Sequence, residues 1–278
     1  MYKNLLVHIP TERPARPAVD GSISLAMSCD AHLDAIAIGF ETASNVPYLA
    51  EGGAAVASMF ELEYERALER AQAALAVFDT EAKCAEISYS TRAMAGSFGE
   101  VVRMIGAAAR LYDLAVVSQG QPDCGNFDNQ FPQELLLQTG GPVLMFPYTF
   151  RGAFKASRIG ICWDGSRLAA RAVRDAMPLL AQADTLATIT LNPSEVPAEA
   201  SPTRLAKHMA RSGLPVRTIS LQADRGEVQS SILSIAADEN LDLLVMGGYG
   251  HSRVQETVLG GVTREMFRSM TIPVLMSH

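Results

Sequence analysis

The chain repeats itself, and that repeat leaves few architectures open to it. Asp113-Leu114-Ala115-Val116-Val117-Ser118 is paralleled by Asp242-Leu243-Leu244-Val245-Met246-Gly247. Gly141-Pro142-Val143-Leu144-Met145 is paralleled by Ile272-Pro273-Val274-Leu275-Met276, and Leu5-Leu6-Val7-His8 by Ile159-Gly160-Ile161-Cys162. Elements repeated in one order imply a duplicated unit. A chain of 278 residues divides naturally into two units of about 140. The expected division is 1–148 and 157–278, with a linker from Tyr148 to Ser157 that contains Gly152.

Within each copy, short β-rich runs alternate with segments of helical period. In the second copy the expected strands are 158–163, 185–191, 215–221, 241–247 and 272–276. Between them, Ala170, Val173, Met177 and Leu180 recur at helical spacing with Arg171, Arg174 and Asp175 facing outward. Val228, Ile232, Ile235 and Ala236 do the same between Glu227 and Glu239. This alternation predicts a mostly parallel sheet with helices on both faces. The first copy adds an extended helical stretch at about 54–80, with Met59, Leu62, Ala67, Ala71 and Leu75 available for packing. That stretch serves either as a long helix over the sheet or as a lid or partner-binding helix. The last strands, Val143-Leu144-Met145 and Val274-Leu275-Met276, can pair within one chain and cover each other's edges.

The second copy carries the chemically suggestive segment. Asp242 to Gly247 reads as a buried strand, followed by the turn Gly248-Tyr249-Gly250-His251-Ser252-Arg253 and, further on, Leu259-Gly260-Gly261-Val262-Thr263. Gly247, Gly250 and Gly260 have the spacing G-x2-G-x9-G. Glycines let backbone amides approach an anion, and a helix start offers N–H groups with no intrahelical partner. A glycine turn alone is weak, because any β-to-α connection uses glycines for packing. Asp164 ends the strand that opens this copy, and Ser166 stands where a helix cap is expected. In such sheets ligands bind at the carboxyl ends of the strands where their order reverses, and one crevice there can hold both Asp164 and Gly247.

These residues resemble the universal stress protein family. The glycine spacing, the closing strand Pro273-Val274-Leu275-Met276 and the opening run Arg158 to Ser166 carry the resemblance, which covers about 157–278 and reaches the first half in outline only. The resemblance implies two tandem Rossmann-like α/β domains, each with a five-stranded mostly parallel sheet flanked by helices, joined as an intramolecular pseudo-dimer. It implies a stress-response regulatory protein that holds ATP, ADP or AMP, with or without Mg, and that acts on an unknown protein partner. The implied nucleotide contacts are Asp164, Gly247, Gly250, His251, Ser252, Arg253, Gly260, Gly261, Val262 and Thr263. Asp164 would lie against the adenosine, and the backbone of Gly247, Gly248 and Gly250 against the phosphates. Family members that bind ATP carry Ser or Thr directly after the last motif glycine. Gly261 stands there in this chain, and Ser252 or Thr263 would have to supply the hydroxyl. Arg253 is either a phosphate donor or a solvated helix-start residue. His251 reads as a loop residue, and Tyr249 as a pocket wall or a surface turn.

The first copy lacks the motif. Ser118-Gln119-Gly120-Gln121 replaces the glycine turn, and Pro10 stands where the second copy has Asp164. We therefore expect no nucleotide in the first half. Its polar loop from Gln121 to Gln130 reads as mobile or as a site for another partner, His8 as a hydrogen-bonded buried histidine, and Gly140 with Gly141 as a helix stop. No G-x-S-x-G, H-E-x-x-H or P-loop lysine is present, so catalysis is expected at most as weak ATP hydrolysis or nucleotidyl transfer. A nucleotide-free interaction module is the remaining alternative.

Charge and cysteine usage narrow the field further. Lys plus Arg number 9 in residues 1–148 against 18 Asp plus Glu (−9), and 14 against 12 in the remainder (+2), which sum to the chain's −7. An acidic chain has no basic footprint for nucleic acid. No apolar run approaches the ~18 residues that cross a bilayer, so a cytoplasmic protein without membrane association is expected. Cys29, Cys84, Cys124 and Cys162 lie far apart without metal-ligand or redox spacing; three are expected buried, with Cys124 in a polar loop. Further self-association beyond the pseudo-dimer stays open.

Overall fold

The computed structural model describes residues 1–41, 53–121, 125–249 and 261–278. The first half contributes β1 (Asn4–Ile9), α1 (Arg16–Cys29), β2 (His32–Phe40), α2 (Gly53–Cys84), β3 (Tyr89–Gly96), α3 (Phe98–Ala109), β4 (Leu114–Ser118), α4 (Phe127–Thr139) and β5 (Val143–Phe146). The second contributes β6 (Arg158–Cys162), α5 (Arg167–Asp175), α6 (Met177–Leu180), β7 (Thr185–Leu191), α7 (Pro202–Arg211), β8 (Arg217–Leu221), α8 (Val228–Asp238), β9 (Leu243–Gly247), α9 (Val262–Ser269) and β10 (Val274–Ser277). The expected helix over 167–183 is divided at Ala176, where Pro178 enters the first turn of α6. Proline is tolerated there because first-turn N–H groups have no intrahelical acceptor.

All ten strands form one sheet in the order β3-β2-β1-β4-β5-β10-β9-β6-β7-β8. Within each half every pairing is parallel, and the halves meet where β5 and β10 run antiparallel. Leu275 pairs with Leu144, Val274 with Met145 and Met276 with Val143. The last strands thus pair as their sequences suggest. Each would otherwise present a row of open backbone donors and acceptors.

Successive strand residues alternate between two cores. Leu5, Val7, Leu144 and Leu275 enter one core with residues of α1, α2, α5 and α7. Leu6, Met145, Val274 and Met276 enter the other with residues of α3, α4, α8 and α9. Both cores run across the seam, so neither half closes its apolar interior alone. The long helix α2 packs on β2 and β3 through Ala71, Leu75, Phe78 and Ala82, while Met59 and Leu62 near its start are exposed. The packing role expected for those two residues is not realised, because they precede the part of the helix that lies on the sheet.

A core shared across the seam predicts one cooperative unfolding transition for the whole chain. Leu275→Ala, at a fully buried position, should lower stability by about 2–5 kcal/mol and shift that single transition intact. Calorimetry resolving two separate transitions, with only one moved, would contradict the shared core.

Candidate functional site

Strand order reverses between β6 and β9. From β6 the chain passes through α5 to β7 and on to β8, and α8 then returns it to β9 on the other side of β6. Helices α5 and α8 belong to opposite faces, so neither covers the carboxyl ends of β6 and β9. The crevice at such a reversal is where open α/β sheets bind ligands. Asp164 follows β6 and Gly247 ends β9, and Ile159↔Leu243 and Ile161↔Val245 register those strands side by side.

Asp164 is exposed, and its Oδ1 accepts the Ser166 N–H at 2.9 Å. Ser166 Oγ in turn accepts the Ala169 N–H at 3.1 Å and caps α5. One carboxylate oxygen therefore shapes the turn. The preceding Trp163 is buried and donates its indole N–H to the Ala200 carbonyl at 2.7 Å. That bond fixes the connection after β7 beside the same edge, a support for Asp164 that sequence reading missed.

Packing against backbone requires Gly247, and one side chain crowds Gly248. A Cβ at Gly247 would lie 2.7 Å from the Ala169 nitrogen and 2.8 Å from the Leu168 carbonyl carbon. A Cβ at Gly248 would lie 2.8 Å from Leu136 Cδ2, which belongs to α4 of the first half. The Gly248 N–H is donated to the Ser277 carbonyl at 2.9 Å, so it is not free to face a phosphate as the sequence reading had it. Tyr249 follows with φ of 55° and is buried, its ring near Phe267 and His278. It is therefore no surface turn residue.

The Tyr249 N–H donates to Thr263 Oγ1 at 3.1 Å, and Thr263 is buried. This bond joins the end of the β9 turn to the first turn of α9. Gly261 is the N-cap of α9 and offers no side-chain cap. The N–H groups of the first turn, Val262 and Thr263 among them, consequently lack intrahelical acceptors at the crevice edge. Gly250, His251, Ser252, Arg253 and Gly260 lie outside the described residues. The structure thus assembles Asp164, Gly247, Gly261, Val262 and Thr263 around one edge.

The equivalent place in the first half is filled by its own side chains. Arg13, only 9% exposed, donates Nη1 to Ser118 Oγ (2.6 Å) and the Gln119 carbonyl (2.7 Å), and Nη2 to the Ser118 carbonyl (2.9 Å) and the Asp128 carbonyl (3.3 Å). Asp128 Oδ2 accepts the N–H groups of Thr11 (2.9 Å) and Glu12 (2.7 Å). Burial lowers the Arg13 pKa to about 10 against the opposing pull of Asp128. Burial raises that of Asp128 to about 6, opposed by Arg13 and the two backbone N–H groups. His8 is buried against the Phe131 ring at 4.1 Å, with Nε2 3.6 Å from Asp128 Oδ1. Among the described residues neither ring nitrogen has a hydrogen-bond partner, which corrects the expected hydrogen-bonded histidine. Burial, reinforced by Arg13, holds its pKa well below the usual value. Of the loop from Gln121 to Gln130, residues 122–124 lie outside the described residues; the remainder supplies Asn126 as the cap of α4, and Asp128 as the centre of this cluster. Spacing could not expose it, since Arg13, Ser118 and Asp128 are more than a hundred residues apart or on different elements.

Comparison with known proteins now bears on the second half. A model of the universal stress protein family matches residues 155–278. Over that half the chain is similar to the universal stress protein family. A universal stress protein of Synechocystis sp. is 40% identical over 50 residues, 18% of this chain and 17% of that relative. One from Methanocaldococcus jannaschii is 35% identical over 51 residues, 18% of this chain and 32% of that relative. The chain therefore spans less than a third of either relative's length. The crystal structure of a universal stress protein from Archaeoglobus fulgidus superposes with a TM-score of 0.72 at 15% identity, covering 98% of this chain and 97% of that one. At that identity the likeness shows the fold, and it extends over both halves. Among the described residues no helix is long and apolar enough to cross a membrane, and no group of residues could hold a metal ion. Cys29 is buried and Cys162 partly so, but Cys84 is exposed, contrary to the expectation for it; Cys124 lies outside the described residues.

Two outcomes test this geometry. Gly248→Ala should destabilise by about 1–2 kcal/mol, and Leu136→Ala in the same chain should relieve much of that cost. Gly247→Ala meets backbone, which cannot retreat, so Leu136→Ala should not rescue it. A double-mutant cycle showing no coupling between Gly248 and Leu136 would refute the contact.

The second concerns pH. His8, neutral in the fold, contributes stability above its unfolded pKa of about 6.5 and loses it as pH falls. Asp128 has the opposite sign: its stability is present below about 3.9 and is lost as pH rises through about 6. Between pH 7 and pH 5 the two offset each other in part. Asp128→Asn removes the offset, so urea unfolding should show a loss on acidification about 1–2 kcal/mol larger than in the unmodified chain. Equal pH dependence in both would refute the assignment.

Proposed function

We propose that the second half is a regulatory adenine-nucleotide-binding domain, with the nucleotide in the crevice between β6 and β9. The observation that carries this reading is the convergence of Asp164, the turn after β9 and the uncapped start of α9 at one strand-order reversal. Asp164 would accept hydrogen bonds from the nucleoside, and the first-turn N–H groups of α9, with the glycine turn, would face the phosphates. Ser252 and Arg253 in the intervening stretch would add side-chain donors. The ligand would be ATP, ADP or AMP, with Mg where its charge requires one. Bound nucleotide would stabilise the folded chain by mass action and alter the surface offered to a protein partner. Division of the chain at 1–148 and 157–278, with nucleotide restricted to the second domain, is part of the proposal.

A second reading has a specific observation behind it. The glycines at 247 and 248 have packing reasons, and Gly261 brings no hydroxyl, which favours a nucleotide-free interaction module. Hydrolysis has less support, because no acid–base pair is placed at the crevice among the described residues.

Mass spectrometry of small molecules released from the purified, denatured chain should find stoichiometric ATP, ADP or AMP. Titration of the emptied protein with each should give saturable binding, weakened by at least tenfold in a folded Gly250→Val variant. An empty protein that binds none of the three would sink the nucleotide reading and leave the interaction module.

A further inference from the structure

Gln119 stands in the first half where Gly248 stands in the second. Each follows the last residue of its strand, and each donates its N–H to the end of the neighbouring closing strand, Gln119 to Phe146 at 2.7 Å and Gly248 to Ser277 at 2.9 Å. The side chains break this symmetry. Gln119 is fully buried and donates Nε2 to the Phe267 carbonyl of α9 at 3.1 Å. Its Oε1 accepts the Tyr148 N–H at 3.3 Å. A carbonyl on one side and an N–H on the other fix the amide orientation. Gly248, lacking a side chain, receives Leu136 from α4 in return.

The two contacts grip the crevice elements of the second half from the first. Phe267 lies in the last turn of α9, where carbonyls have no intrahelical donor, and Gln119 supplies one. At its other end α9 has no side-chain cap, and its first turn is tied to Tyr249 through Thr263. An eight-residue helix is a rigid rod of about 12 Å, so fixing its last turn also fixes where its first-turn N–H groups point. The Gln119 carbonyl is itself held by Arg13 at 2.7 Å, and Arg13 is held by Ser118 and Asp128. The filled crevice of the first half is thereby a solid anchor for this grip.

We propose that the first half regulates the nucleotide site of the second, with Gln119 as the residue that positions α9. The inference rests on the nucleotide reading of the crevice. Gln119 touches no ligand; it acts by holding the helix start where phosphate would meet it.

The experiment is calorimetric titration of ATP, ADP and AMP into the full chain and into two variants. Gln119→Glu keeps the acceptor for Tyr148 but turns a carboxylate toward the Phe267 carbonyl. Gln119→Met fills the same space without either bond, and serves if the Glu variant does not fold. Kd for the tightest nucleotide should rise about 5- to 50-fold in a folded variant, with the number of sites per folded chain unchanged. A purely structural role would lower the number of competent sites and leave Kd alone. Unchanged Kd in a folded variant, beside clear binding in the unmodified chain, overturns the coupling and leaves the nucleotide reading standing. No binding in the unmodified chain overturns both.

Discussion

The antiparallel pairing of β5 with β10 is the constraint on which the rest of the molecule depends. It closes the inner edges of two parallel five-stranded sheets and makes both apolar cores continuous from one half to the other. Three residue pairs carry it: Val274 with Met145, Leu275 with Leu144, and Met276 with Val143. All six side chains are fully buried. Their alternation across the sheet commits each to a definite face, so a one-residue slip would exchange the two cores' side chains.

The same seam brings non-equivalent surfaces into register. The halves share a strand order, yet one closes its crevice with Arg13 and Asp128 while the other leaves Asp164 exposed beyond β6. A charged residue can be buried in the first half because its two terminal nitrogens are met by two backbone carbonyls, a hydroxyl and a third carbonyl from α4, while its Nε has no hydrogen-bond partner among the described residues. His8 shows the limit of that compensation, with two ring nitrogens unpartnered beside an aromatic ring. A duplicated fold has thus been divided into a half whose crevice is filled by its own charged side chains and a half whose Asp164 is exposed beside the strand reversal.

Much of the architecture was legible in the sequence because periodicity and repetition are local signals. Apolar runs and helical spacing located the strands of the second half and its helices α5, α6 and α8 to within a few residues, though not α7, and the repeated Pro-Val-Leu-Met identified the strands that pair. Asp164 and Gly247 could be brought to one edge on topology alone. The cluster around Arg13 was not legible, since its members come from the loop after β1, the end of β4 and the start of α4. Gly248 was misread for the same reason. Its absence of a side chain reflects Leu136 from the other half, and no motif spacing reports a neighbour that far away in the chain.

By itself, then, the sequence determined the duplicated α/β plan, the pairing of the closing strands and the place of the candidate crevice, because each follows from local period and from the physics of parallel sheets. Only the tertiary structure decided which glycines serve packing, that the first crevice is filled by a buried arginine, and that Gln119 reaches α9. Those outcomes depend on which side chains meet across the seam. That is a matter of distance in space, where a single ångström separates a required glycine from a tolerated alanine.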